Sequence, residues 1–313
     1  MRKWVGIDLG GTAIKGAAVL EDGTIVVKGE RPTEAERGAD YVLDTMAGLV
    51  RDLVQQAGWE FAEVSGVGIG VPAFLDFEAG TVETAVNLGW KNVPVVAEMQ
   101  KRLEGKPVAI ENDANAAALG EVWAGGGKGF HDALFVTLGT GVGGGVVVHN
   151  KIVHGSNGMG GEIGHITIDP NGRLCNCGRR GCLETISSAT GIVAEAQERI
   201  AAGRQTSLAN VEELNTRVIF EHAAQGDEVA KEVVHYATDR LAFALANIGA
   251  TLNPQVIVVG GGVSAAGESL LKPLQEAYAR YALPRVHAGT TISLAKLGND
   301  VGVIGAALLQ IGQ

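Results

Sequence analysis

KWVGIDLGGTAIKGAAVLEDGTIVVKGE, residues 3–30, reads as strand, glycine turn, strand, turn, strand. Asp22-Gly23 stands between two β-rich runs, where a hairpin turn needs residues that tolerate positive φ. A second stretch, ALFVTLGTGVGGGVVVHNKIVHG at 133–155, has the same layout. At an offset of 129 residues Leu9 meets Leu138, Gly10 meets Gly139, Gly16 meets Gly145 and Val19 meets Val148. Four spaced matches say little alone. With the shared strand–glycine turn–strand order they indicate an internal duplication of one β-hairpin device.

The rest of the chain alternates strands with helices, the pattern of an α/β protein. Helical spacing over 38–56 puts Tyr41, Val42, Met46, Leu49, Val50 and Leu53 on one side. VSGVGIGV (64–71) is a short apolar strand stopped by Pro72, and PVAIEND (107–113) is a strand leading into the helix ANAAALGEVWAG. From Ser187 to about Leu252 the chain reads as mostly helical. It closes with a strand at 255–259, a helix from about Ser264, a strand at 291–297 and a last helix near 301–311. The stretch 241–267 carries no charge and must be weighed as a membrane span. Asn253-Pro254 and then three glycines interrupt it, so the better reading is buried helix, turn and buried strand.

A chain of 313 residues with 46% hydrophobic and 19% charged residues can bury a sizeable core, in two domains or one large one. Its net charge of −10, from 25 basic and 35 acidic side chains, argues against a nucleic-acid surface. An anionic substrate stays possible, because backbone amides and a metal ion hold phosphates without surplus cations. The N-terminus meets Asp8 before any apolar run forms, so no signal peptide is expected. An odd count of three cysteines gives no disulfide framework. A cytoplasmic protein without membrane or nucleic-acid partners is expected.

Three glycine loops follow buried strands: DLGGT (8–12), TLGTGVGGG (137–145) and VGGGVS (259–264). Such a loop lets backbone N–H groups approach an anion, although each alone could be a plain tight turn. Gly139, Gly141 and Gly144 spell G-x-G-x-x-G, but the β-rich VVVH follows where a dinucleotide fold needs a helix. GGGKG (125–129) lacks the Ser or Thr after the lysine of a Walker A loop and reads as a surface turn. The two hairpins resemble the PHOSPHATE 1 and PHOSPHATE 2 segments of the superfamily of actin, the heat-shock ATPases and the sugar kinases. VIVVGGGVS resembles its ADENOSINE segment. The resemblance implies a two-domain, actin-like (ribonuclease H-like) ATPase fold with duplicated β-hairpin halves and a cleft between them. The smaller N-terminal domain would comprise 1–111 plus about 298–313, and 112–297 the larger one. It also implies Asp8 near the Mg²⁺ of ATP, with Gly10, Gly11, Thr12 and Lys15 at the phosphates. Thr137, Gly139, Thr140 and Gly141 would face the same phosphates, and Gly261 and Gly262 the adenosine.

All three cysteines fall within eight positions, ten residues after a histidine, in HITIDPNGRLCNCGRRGCLE (165–184). His165, Cys175, Cys177 and Cys182 supply one imidazole and three thiolates, a complete tetrahedral set suited to Zn²⁺. Four protein ligands leave no open position for water, so the zinc would be structural. The alternative is a group of buried or redox-active thiols.

The pattern H-x9-C-x-C-G-x2-G-C-x-E resembles the signature of the ROK family (repressors, open reading frames, kinases). EIGH with the upstream NGMGG (157–165) and IENDANAAALGE (110–121) match its other motifs, over essentially the whole length. By resemblance Asp113 is the catalytic base and Asn112 a sugar ligand. From the residues alone, capping of the helix that follows is the better reading of Asp113. Glu162, His165 and Glu184 complete the implied sugar site, with Gly70 and Asn87 lining it. The implied activity is ATP-dependent phosphorylation of a hexose, glucose first, with N-acetylmannosamine, N-acetylglucosamine or fructose as alternatives. A sugar-sensing repressor is the other class. Its N-terminal helix-turn-helix has no room before a strand that begins by about residue 3. A homodimer or higher homo-oligomer is expected from the same resemblance.

Overall fold

The structure, a computed structural model, describes residues 1–309. Its first part runs β1 (Lys3–Leu9), β2 (Ala13–Leu20), β3 (Ile25–Pro32), α1 (Ala39–Gln56) and β4 (Val64–Val71). Then come β5 (Phe74–Asp76), β6 (Thr81–Ala85), β7 (Trp90–Val93), α2 (Val95–Arg102), β8 (Val108–Asn112) and α3 (Asp113–Ala124). The second part begins with β9 (Ala133–Leu138), β10 (Val142–Val148), β11 (Lys151–Ile152), α4 (Glu184–Ser187) and α5 (Ala189–Ala201). It continues through α6 (Thr216–Ala224), α7 (Glu228–Leu252) and β12 (Val256–Gly260). It ends with α8 (Glu268–Tyr281), α9 (Pro284–Gly289), β13 (Thr291–Leu294) and α10 (Val301–Leu308).

Two sheets have five strands each, in the orders β3-β2-β1-β4-β8 and β11-β10-β9-β12-β13. In the first, the antiparallel meander β1–β2–β3 is continued by β4 and β8 running parallel to β1. In the second, β12 runs parallel to both β9 and β13. The hairpin duplication legible in 3–30 and 133–155 is therefore a duplication of a whole strand order. By contacts the chain divides into one unit of Met1–His131, Gly145–Gly160 and Lys296 onward, and another of Asp132–Gly144 and Gly161–Ala295.

In the first unit the apolar stripe of α1 (Met46, Leu49, Val50, Leu53) and Met99 of α2 share a buried cluster with Val5, Ile7, Ile69 and Ile110 of the sheet. Burying each such side chain removes it from water at a gain of about 1.5–3 kcal/mol. Another cluster joins Trp4, Ala17 and Val19 to Val303 and Ala307 of α10. There α10 approaches the sheet backbone to backbone. A Cβ on Gly68 would stand 1.7 Å from the Ala306 carbonyl oxygen, and one on Gly305 1.7 Å from that of Ala116 on α3. This contact ties α3 to the first unit, so the boundary expected after residue 111 does not coincide with the division by contacts.

The second unit is built around α7, against which α5, α6 and α8 pack. The uncharged stretch resolves as expected into helix, turn and strand. Asn253 ends α7 in the left-handed region (φ 46°), and all five residues of β12 are buried. Among the described residues no helix is long and apolar enough to cross a membrane.

Other expectations shift at their edges. Gly267 (φ 59°) separates a 3-10 turn at Gly262–Ala266 from α8, so the helix expected from Ser264 begins at Glu268. β13 stops at Leu294, three residues early, and α10 ends at Leu308, with 310–311 of the expected helix outside the described residues. The small sheet β5-β6-β7 has strands of three to five residues, too short for alternation to show in the sequence.

Gly305→Ala forces α10 away from α3 and is expected to cost about 1–3 kcal/mol, the range for overpacking a tight contact. Urea unfolding followed by circular dichroism measures this. A midpoint equal to that of the parent protein would contradict the close approach.

Candidate active site

Parallel pairing sets the level at which side chains leave the first sheet. Asp8 of β1 pairs with Gly70 of β4, and Gly70 pairs with Glu111 of β8. Asp8, Gly70 and the Asn112–Asp113 junction thus come together at the carboxyl ends of three parallel strands, where open α/β sheets bind ligands. The Asp113 Cα lies 3.9 Å from where a Cβ on Gly70 would stand.

At that junction the sequence left two roles open for Asp113. Asn112 is the N-cap of α3. Its Oδ1 accepts from the backbone N–H groups of Ala114 at 3.0 Å and Asn115 at 3.4 Å. Asp113 is the first residue of the helix, and its side chain is exposed, one oxygen accepting from Ala114 N–H at 2.9 Å. Although open to solvent, the carboxyl has enough protein around it that desolvation raises its pKa above 3.8, against the opposing pull of the Ala114 N–H. Asp8 is also raised, first by burial and then by the charge of Asp113, while Lys15 opposes. Lys15 reaches this level because it is paired with Asp8 across the β1–β2 hairpin.

The turn between these strands exposes Gly11 and Thr12. Gly10 N–H closes it on the Ala13 carbonyl at 2.9 Å. Thr33, fully buried at the end of the β3 region, clamps it twice: its hydroxyl donates to Gly10 O at 2.7 Å and its N–H to Thr12 O at 3.0 Å. Nothing in the local sequence marked Thr33, which lies 23 residues from its partner. Asn87 stands in a 3-10 turn, exposed, with its Cβ 3.3 Å from where one on Gly11 would be. Its neighbour is thus the glycine turn.

In the second unit the loop Thr137–Gly141 is held by the start of α5. Ala189 N–H donates to Gly139 O at 2.8 Å and the Thr190 hydroxyl to Thr140 O at 2.7 Å, while Ser188 caps the helix through Gly191 N–H. The positive end of a 13-residue helix therefore lies at the loop, a favourable place for an anion. No motif in the sequence marks Ser188 and Thr190. Gly261 (φ 84°) packs on Leu138, where a Cβ would fall 2.5 Å from the carbonyl oxygen, and Gly262 beside it is open.

His165, Cys175, Cys177 and Cys182 come together, with one ligand atom of each within 4.8 Å of the others. Cys177 and Cys182 have their sulfurs 3.6 Å apart, and Cys175 Sγ is 3.6 Å from His165 Nδ1. Tetrahedral zinc at ordinary bond lengths needs about 3.8 Å between sulfurs and about 3.6 Å from sulfur to nitrogen. The four residues fit the ion. The cysteine loop is a small hairpin turned at Gly178 (φ 86°) and anchored by Arg173 to Glu195, Glu198 and the Thr185 carbonyl. Thiol environments differ. Burial first, then the Glu184 hydrogen bond, pushes Cys175 up to about 12, and the Arg179 N–H draws Cys177 down to about 6. Glu184, in α4, accepts from Cys175 Sγ at 2.9 Å and approaches His165 Nδ1 at 3.6 Å. Its other oxygen is 2.7 Å from where a Cβ on Gly141 would stand, so the glycine loop, Glu184 and the cluster are contiguous. Glu162, exposed, begins the turn that carries His165.

A carboxylate whose native pKa exceeds its unfolded one weakens the fold wherever it is ionised. Stability falls as pH rises from 3.8 through the native pKa, and the loss is complete at neutral pH. Asp113→Asn is therefore expected to raise the thermal midpoint at pH 7. The gain should shrink as pH falls and vanish below 3.8, where the aspartate is protonated in both the native and the unfolded state. Thermal unfolding across that range measures it, and a lower midpoint at pH 7 would contradict the desolvated site.

The family profile described as ROK family matches residues 4–313. A glucokinase of Halalkalibacterium halodurans is 43% identical over 313 residues, covering 98% of this chain and 94% of the relative. The crystal structure of a ROK hexokinase from Thermus thermophilus, 34% identical, aligns over 98% of this chain and 97% of its own with a TM-score of 0.83. That of a ROK family glucokinase from Streptomyces griseus in complex with glucose and AMPPNP, 33% identical, aligns over 99% and 100% with a TM-score of 0.76. With its two matching strand orders and a profile that spans nearly its whole length, the chain belongs to the ROK family and has the actin-like fold of that family's sugar kinases.

Proposed function

We propose that the chain transfers the terminal phosphoryl group of Mg-ATP to a hexose hydroxyl, glucose before other sugars, giving glucose 6-phosphate. The observation that carries this reading is the state of Asp113: an accessible carboxylate with raised proton affinity, relieved of capping by Asn112. Such a group is ionised at neutral pH yet holds a proton better than an ordinary carboxylate, as a general base should. Asp113 takes the hydroxyl proton as the hydroxyl oxygen bonds to the γ-phosphorus and the bond to the β,γ-bridging oxygen breaks, releasing ADP.

Asn112 spends its carbonyl oxygen on the cap, which leaves its amide N–H₂ for a sugar oxygen. Glu162 and Glu184 would accept sugar hydroxyls. His165 would turn Nε2 to the sugar, since Nδ1 faces the thiols. Gly70 and Asn87 would line the sugar side. On the nucleotide side we assign Asp8 to the metal of Mg-ATP. Gly10, Gly11, Thr12 and Lys15, with Thr137, Gly139, Thr140 and Gly141, take the phosphates, and Gly261 and Gly262 the adenosine. Likeness to glucokinases, one of them solved with glucose and AMPPNP, supports these assignments. His165, Cys175, Cys177 and Cys182 would hold one structural Zn²⁺, whose chemistry is to lock the loop carrying His165 and adjoining Glu184.

ADP release with Mg-ATP, measured against glucose, mannose, fructose, N-acetylglucosamine and N-acetylmannosamine, tests the proposal. Glucose should give the highest kcat/KM, and Asp113→Asn should lower kcat by ~10²–10⁴-fold. Preference for an N-acetylated hexosamine or fructose would reassign the substrate. Absence of sugar-dependent release from folded protein would reject the kinase. Zinc is tested separately. Elemental analysis should give one zinc per chain, and Cys177→Ala or chelation should remove it and lower the thermal midpoint; a zinc-free protein of unchanged midpoint would reject the metal.

A further inference from the structure

Glu111 is 3% exposed and lies immediately before Asn112 and Asp113, yet no role above uses it. A carboxylate so enclosed is tolerable only if its oxygens accept hydrogen bonds. Oε1 accepts from the Asn112 backbone N–H at 2.9 Å and from Asn115 Nδ2 at 3.0 Å. Oε2 pairs with His154 Nε2 at 2.7 Å. One oxygen thus holds groups on both sides of Asp113, one from the strand end and one from the first turn of α3. Rotation of that turn about the strand would break both bonds.

His154 is itself fixed. Its ring lies on Phe77, centroids 3.9 Å apart and tilted by 33°. Its carbonyl accepts from Gly160 N–H at 2.8 Å, and the preceding Val153 N–H donates to Val146 O at 2.9 Å. The same residue therefore orients Glu111 and anchors the backbone just before Gly161 and Glu162. A cavity of about 700 Å³, lined by Phe77, Ile110, Glu111, Trp123, Ile152 and His154, borders the pair. Replacements at His154 have room there and need not force the core apart.

We propose that Glu111 and His154 are positioning residues for phosphoryl transfer. Glu111 fixes the β8–α3 turn and so the direction from which Asp113 meets the acceptor hydroxyl, and His154 fixes Glu111. The inference rests on the reading of Asp113 as the base. A misplaced base costs rate steeply, because the reacting groups must be held in a near-attack geometry.

The test is steady-state kinetics with glucose and Mg-ATP on the parent protein, Glu111→Ala, His154→Phe, the double variant and His154→Gln, each with its thermal midpoint. Both single variants should lower kcat by ~10–100-fold, the usual loss on removing a partner that orients a reacting group, with KM for ATP unchanged. The double variant should be no slower than the slower single one, since the two act as one unit. His154→Gln, whose amide nitrogen can stand where Nε2 stands, should recover most of the rate. Lower midpoints with unchanged kcat per folded enzyme, or losses that multiply in the double variant, would overturn the proposal. A parent protein inactive on every sugar would defeat the kinase reading instead. In that case amide hydrogen exchange at 112–115 decides the geometric claim: faster exchange in both variants supports the clamp, and unchanged exchange overturns it.

Discussion

Two carboxylates at the ends of parallel strands impose the main constraint on the first unit. Asp8 and Asp113 are both desolvated, and the charge of Asp113 adds to the cost of ionising Asp8. Left to itself, such a pair would move apart or gather water. The fold opposes this with rigid backbone. β1, β4 and β8 run in fixed parallel register, α10 lies on the sheet through Gly68, and α3 is pressed to α10 through Gly305. Lys15 offsets part of the charge from the neighbouring hairpin strand. A site that needs a cation to neutralise its acidic side fits the binding of Mg-ATP.

The second unit answers a different problem. Its glycine loop is held from behind by α5, whose N-terminus offers the positive end of its dipole. The cysteine hairpin carries little apolar surface of its own. Arg173, gripping two glutamates and a carbonyl, fastens it to α5 and α4, and the four metal-type ligands converge within it. Glu184 joins the two devices, since it contacts Cys175 and lies beside Gly141. A metal held there would therefore act on the glycine loop as well as on His165.

What could be read in the sequence was local. The glycine turns announce themselves because only a few residue types allow a backbone to approach an anion, and the Cys₃His set because its spacing is short. The repeated hairpin at 3–30 and 133–155 gave away the doubled strand order. Partners distant in the chain could not be read this way. Thr33 acts on Gly10 across 23 residues and His154 on Glu111 across 43, and neither interval leaves a pattern. The ambiguity at Asn112-Asp113 had a simpler origin. Both residues can cap a helix, and only coordinates show that Asn112 does so and leaves Asp113 available. The packing of α3 on α10 was illegible for a third reason, since the approach of Gly305 to the Ala116 carbonyl depends on what is absent from the side chains.

As the proposed base, Asp113 must be a desolvated carboxylate standing at the sugar. A carbon-13 carboxyl NMR titration of aspartate-labelled protein, with and without glucose, tests both parts at once. A base so placed should give one resonance, missing in Asp113→Asn, that titrates above the ordinary value of 3.8 and shifts when glucose saturates the protein. A resonance for Asp113 that titrates at the ordinary value and ignores glucose would contradict it.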